Sequence, residues 1–167
     1  MNKYTKLGVN ILGKVFEDYF SELQADMVSI CLEYVFDRAN KIYIYCSYEE
    51  GLISNDFFYN INGKIVERHK LNDALINVEN KDDFSYDTSV VRQKAVVKII
   101  NEDIKEMIKL CKEYNREMPT EIKLVYDVKA NKLTADYKYE LVHTIDSNET
   151  ASSVARRWFE QVKREHI

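Results

Sequence analysis

The sequence predicts an α+β domain: an antiparallel sheet, built from a meander and a C-terminal hairpin, with helices packed on one face, in the order α-β-β-β(-β)-α-β-β-α. Three observations predict it. Apolar residues recur at three- and four-residue steps near both ends of the chain and over residues 88–114. Two-residue alternation occupies residues 27–68 and 121–141. Asn62–Gly63 joins two alternating runs and is a strong type I′ hairpin signal.

The first helix is expected over residues 4–23, where Tyr4, Leu7, Ile11, Val15 and Tyr19 form a stripe widened by Leu12, Phe16, Phe20 and Leu23. A strand is expected over residues 27–36, because Val28, Ile30, Leu32, Tyr34 and Phe36 alternate with Ser29, Cys31, Glu33 and Val35. A second strand follows, with Ile42, Ile44, Cys46 and Tyr48 alternating with Tyr43, Tyr45 and Ser47. A third carries Phe57, Tyr59 and Ile61, and a short fourth covers residues 64–68. Residues 70–87 read as a loop holding two lysines against five acids. A long helix over residues 88–114 is expected to bury Val90, Val97, Ile100, Ile104, Ile108 and Cys111, with Asp87 as its cap. Pro119 blocks helix from entering the next strand, and Lys129–Ala130–Asn131–Lys132 links two alternating runs. The last helix starts near Asn148, with Asp146 and Glu149 spaced as a capping box and Val154, Trp158 and Val162 as its apolar line.

These elements make one domain over residues 1–167, with no internal repeat or linker. Nineteen Phe and Tyr and one Trp exclude a solvated, disordered chain. The formal charge is −4, whereas a generic nucleic-acid binder carries a basic excess; no direct nucleic-acid partner is expected. Cys31, Cys46 and Cys111 are odd in number and widely spaced, which favours a reducing compartment and small buried hydrophobes over disulfides. No apolar run approaches the ~20 residues needed to span a bilayer, and Lys14, Glu17 and Asp18 interrupt anything like a signal peptide. The expected location is the cytoplasm, away from membranes.

The search for chemistry points away from an enzyme. His69, His143 and His166 lack metal-ligand spacing, and no cofactor or metal is expected. Four glycines form no phosphate-binding loop, and no nucleophile motif is present. Asp127 and Asp136 resemble a carboxylate pair across the second hairpin, but Lys123, Lys129 and Lys138 surround them, so cross-strand charge pairing is the expected role. What remains is surface: twelve tyrosines, which suit protein interfaces, and an acidic loop near residues 79–87.

The tyrosine-rich Ile42–Tyr43–Ile44–Tyr45–Cys46, the aromatic Phe57–Phe58–Tyr59, the proline-led hairpin from Pro119 through Asp136–Tyr137–Lys138–Tyr139, and Trp158–Phe159 near the C-terminus carry a family resemblance. By these residues and by element order the chain resembles the YezG-like immunity proteins, cytoplasmic antitoxins of bacteria that secrete polymorphic toxins. The resemblance implies a non-enzymatic neutralising protein that binds the toxic C-terminal domain of a cognate toxin, commonly a nuclease, and covers or distorts its active site.

Nuclease clefts are basic, so Glu49, Glu50, Asp82, Asp83 and Asp87 are the expected partner-binding acids, with Tyr43 and Tyr45 as anchors. A monomer or weak dimer is expected. Two other readings stay open: a small-molecule-binding or enzymatic α+β domain with a pocket between sheet and helices, and an adaptor that forms a homodimer through its tyrosines.

Overall fold

The computed structural model describes residues 15–76, 78–79 and 82–166. The part of the first expected helix over residues 4–14 lies outside them. Helix α1 spans Phe16–Tyr34. Strands β1 (Lys41–Glu49), β2 (Leu52–Ile61) and β3 (Lys64–Glu67) form the meander, and a 3-10 turn, Leu71–Leu75, follows. Helix α2 (Val90–Glu113), the hairpin β4 (Glu121–Asp127) and β5 (Lys132–Lys138), and helix α3 (Ala151–Glu165) complete the chain. The α+β class and the order α-β-β-β-α-β-β-α are those the sequence predicts.

One element departs. Residues 27–34, read as strand, belong to α1. The buried residues Phe16, Phe20, Gln24, Met27, Val28, Cys31 and Tyr34 follow one another at steps of four, three or one, a single helical stripe. Ser29 and Glu33, four apart, stay exposed on the other side. Over a short window the same residues satisfy both periods, and packing on α2 selects the helix. The end of α1 gives no glycine signal either. Phe36 and Asp37 take positive φ (53° and 61°), with Asp37 N–H bonding to Leu32 C=O and Phe36 N–H to Glu33 C=O, the two bonds of a Schellman stop.

All five strands pair antiparallel, in the order β3-β2-β1-β4-β5, so β1 lies central with Ile44 opposite both Phe57 and Leu124. Asn62 and Gly63 both have positive φ (54° and 81°), as a type I′ turn requires. Strand alternation sends Ile42, Ile44 and Cys46 to one face, where they join Phe57, Tyr59 and the stripes of α1 and α2. It sends Tyr43 and Tyr45 to the opposite face, where Val154, Ala155, Trp158 and Phe159 of α3 cover them. Helices on one face therefore describes α1 and α2 only; α3 closes the other side.

Two caps also differ from expectation. Helix α2 begins after Ser89, while Asp87 accepts the Ser89 N–H at 3.0 Å one turn earlier. Thr150 caps α3, its hydroxyl accepting from Ser153 N–H at 3.0 Å and the Ser153 hydroxyl accepting from Thr150 N–H at 2.8 Å. Val90, expected in the buried stripe of α2, is exposed. The second hairpin pairs Lys123 with Asp136 and Asp127 with Lys132, so its aspartates face lysines across the strands. All three cysteines are buried and free, and burial pushes the Cys46 thiol up to about 12. Among the described residues no helix is long and apolar enough to cross a membrane.

Candidate functional site: a carboxylate-lined cleft between two helices

The residues expected to bind a partner do not form one surface. Tyr43 is stacked on Phe58, with ring centroids 4.6 Å apart, and meets the edge of Trp158 at 5.9 Å. The Tyr45 hydroxyl donates to Glu121 at 2.7 Å inside the sheet. Both rings are covered by α3 and are core, not anchors. Glu49 is 1% exposed. Its carboxylate accepts the N–H groups of Val142 (3.0 Å) and His143 (3.2 Å) and the Thr144 hydroxyl (2.9 Å), and lies 3.1 Å from His143 Nε2. This buried acid ties the loop after β5 to the end of β1. Burial raises the Glu49 pKa, but the bonds from Val142, Thr144 and His143 outweigh it, and the group sits below the usual carboxylate value.

Glu50, Asp82, Asp83 and Asp87 are exposed. Glu50 occupies the β1–β2 turn, whereas Asp82 lies 3.7 Å from Arg38, just before the start of β1. The nine-residue length of β1, about 30 Å at the usual rise per residue, separates the two groups. Alternation shows that a sheet has two faces, but only the fold shows that α3 covers the tyrosines on the second face and that the loop after β5 closes over Glu49.

The structure gathers carboxylates elsewhere. Helix α1 holds Glu17, Asp18, Glu22, Asp26 and Glu33 and no basic residue. Asp18, Glu22 and Asp26 recur every four residues, which places them on one side. Against them α2 brings Asp103 and Glu106, three apart. Between the helices lies a cleft of about 300 Å³, lined by Glu22, Asp26, Asp103 and Glu106, with half-buried Leu23 and Leu110 beside them. Tyr19, Glu113 and one base, Lys109, complete the lining among the described residues.

Asp103 is the unusual member. It is 8% exposed, and its Oδ2 has no hydrogen-bond partner. Burial pushes its pKa up, a hydrogen bond with Asp26 and the charges of Asp26, Glu102 and Glu106 push it further, and it reaches about 8. Near neutral pH the Asp26–Asp103 pair therefore holds one proton, which Asp103 donates to the Asp26 carboxylate. Sequence reasoning missed this pair because the strand assigned from residue 27 left Asp26 at an element boundary. The four-residue spacing of Asp18, Glu22 and Asp26 was the available signal.

Of the other cavities among the described residues, two bear on the search for a site. One, of about 230 Å³ beside β2 and β3, contains polar groups already paired: Arg68 with Asp56 at 3.1 Å, His69 with Glu67 at 3.2 Å and Arg156 with Glu67 at 2.8 Å. The other, of about 390 Å³, joins Phe16 and Phe20 of α1 to Tyr137 and Tyr139 at the β5 edge, with Arg116 across it. Gln24 Nε2 donates to the Tyr137 hydroxyl at 2.5 Å, which fixes that ring against α1. Among the described residues no three His, Cys, Asp or Glu side chains converge as metal ligands. In comparisons with known proteins, no family model and no curated protein matches the chain.

Proposed function

We propose that this protein is an immunity protein, an antitoxin that binds a cognate bacterial toxin in the cytoplasm and neutralises it by covering a basic active site of the nuclease kind. The observation that supports the reading is the cleft between α1 and α2, where five carboxylates outnumber a single lysine beside a helix with no base at all. A basic nucleic-acid-binding cleft is the natural complement of such a face. Opposite fields steer the encounter, and salt screens them beyond about 8–10 Å. The resemblance to YezG-like immunity proteins, carried by Tyr43, Tyr45, the Asp136–Tyr139 run and Trp158–Phe159, points the same way, although Tyr43, Tyr45, Trp158 and Phe159 act as core while Tyr137 and Tyr139 stay exposed.

The test is capture followed by rescue. The tagged chain is used to retain partners at rising salt, and the C-terminal domain of a retained polypeptide is expressed alone in a bacterial host. The expected result is growth arrest by that domain, relieved when this chain is co-expressed, with retention weakening as salt rises. A retained domain that is harmless, or harmful whether or not this chain is present, overturns the reading.

A further inference from the structure

We infer that the α1–α2 cleft is a seat for an arginine side chain of a protein partner, its guanidinium seated against the paired carboxylates of Asp26 and Asp103. The inference rests on the reading of the chain as a protein-binding inhibitor and names the recognition group of that contact. Asp103 is more than nine-tenths buried, lines the cleft and leaves Oδ2 with no hydrogen-bond donor, an arrangement that needs a cation or a proton to be stable. The two carboxylates come from different helices, share a hydrogen bond, and together line a cleft of about 300 Å³. That space exceeds what one hard ion fills, and among the described residues no three carboxylates converge as metal ligands. A guanidinium is planar, presents a fork of donors to carboxylates, and is more weakly hydrated than an ammonium, so it enters a half-buried site at lower cost. Leu23 and Leu110 offer apolar surface for the stem of the side chain.

Occupancy is linked to a proton. Asp103 faces Asp26 and Glu22 of α1, Glu102, Glu106 and Lys109 of its own helix, and the Cys46 thiol of β1. An arriving guanidinium displaces the proton that the Asp26–Asp103 pair holds, and the proton leaves to solvent. Binding therefore strengthens as pH rises toward 8 and levels off above it.

The experiment titrates the full chain with the peptide acetyl-Gly-Arg-Gly-Arg-Gly-amide and with the same peptide carrying citrulline, a neutral isostere, at both arginine positions. Carboxyl NMR signals of Asp26 and Asp103 report occupancy, and spermidine and Mg²⁺ serve as competing cations. The arginine peptide is expected to bind at least about tenfold more tightly at pH 8 than at pH 6, by proton linkage. Asp103→Asn and Asp26→Asn, each checked for a native melting transition, are expected to weaken it about tenfold at pH 8 and to flatten the pH dependence. Equal binding of the citrulline peptide, wild-type affinity in both variants, or tighter binding of spermidine or Mg²⁺ overturns the inference. Because the titration uses no toxin, its failure leaves the co-expression rescue intact, and failure of the rescue leaves the titration readable.

Discussion

Glu49 Oε2 lies 3.1 Å from His143 Nε2, with the Glu49 side chain wholly buried and His143 8% exposed. The pair joins the end of β1 to the loop that carries the chain from β5 to α3. Removing the carboxylate strands the N–H groups of Val142 and His143 and a buried imidazole. Glu49→Ala is therefore expected to cost about 3 kcal/mol, measured by urea unfolding at pH 7. The folded carboxyl lies below its ordinary value of 4.5, so its contribution is fully present above that pH and is lost as pH falls through the folded pKa. Glu49→Gln, which keeps the shape, is expected to remove that part of the acid destabilisation. An unchanged acid limb in the Gln variant sinks the assignment.

Asp103 runs the other way. Its folded pKa, about 8, lies above the ordinary 3.8. The folded state therefore keeps a proton that the unfolded state gives up, and stability falls as pH rises between those values. Asp103→Asn should leave stability nearly unchanged at pH 4 and raise it by about 1–3 kcal/mol at pH 8, discounted from the full linkage value for relaxation of the site. Melting curves of both proteins at the two pH values decide it. A variant that melts lower than wild type at pH 8 contradicts the shared-proton pair.

Trp158 touches Phe58, Tyr43 and Tyr45 with ring centroids 5.1, 5.9 and 6.2 Å apart, so it is a main anchor of α3 on the sheet, beside Phe159. Trp158→Ala is expected to cost about 3–5 kcal/mol, and Trp158→Phe markedly less, in urea unfolding followed by circular dichroism. A loss under 1 kcal/mol for the alanine variant contradicts the packing role.

The two acidic regions make opposite predictions for partner capture. Charge reversal at Glu50, Asp82 and Asp83, all exposed and none lining the cleft, should leave retention of a basic partner within about twofold of wild type, as screened charges outside a contact do. Glu22→Lys with Glu106→Lys in the cleft should weaken it about tenfold or more at 50 mM salt, and less at 500 mM. Equal losses from the two sets remove the cleft from the contact.

Strong local signals fixed much of this fold. Asn62–Gly63 demanded its turn, since both residues need positive φ, and Pro119 kept α2 and β4 apart. The alternation around Asp127 and Asp136 was clear enough to expect lysines opposite them; the register supplies Lys123 for Asp136, and for Asp127 it supplies Lys132, which the sequence reading places in the turn. Residues 27–34 show the limit. Their alternation is compatible with either period, and the stop at Phe36 uses a bulky residue at positive φ where a glycine would have announced the end of the helix.

The sequence by itself determined the α+β class and the hairpins, because periodicity and turn chemistry are local properties of the chain; the central place of β1 came only with its pairing to β4. The tertiary structure alone decided which face each tyrosine meets. Tyr43 and Tyr45 point away from α1 and α2, and they are buried only because α3 returns across that face, held by the Glu49–His143 junction. It alone also brought Asp26 and Asp103 together, 77 positions apart in sequence. Charge on a helix is legible from composition. Its approach to a second buried charge depends on how two helices pack, and no local pattern carries that.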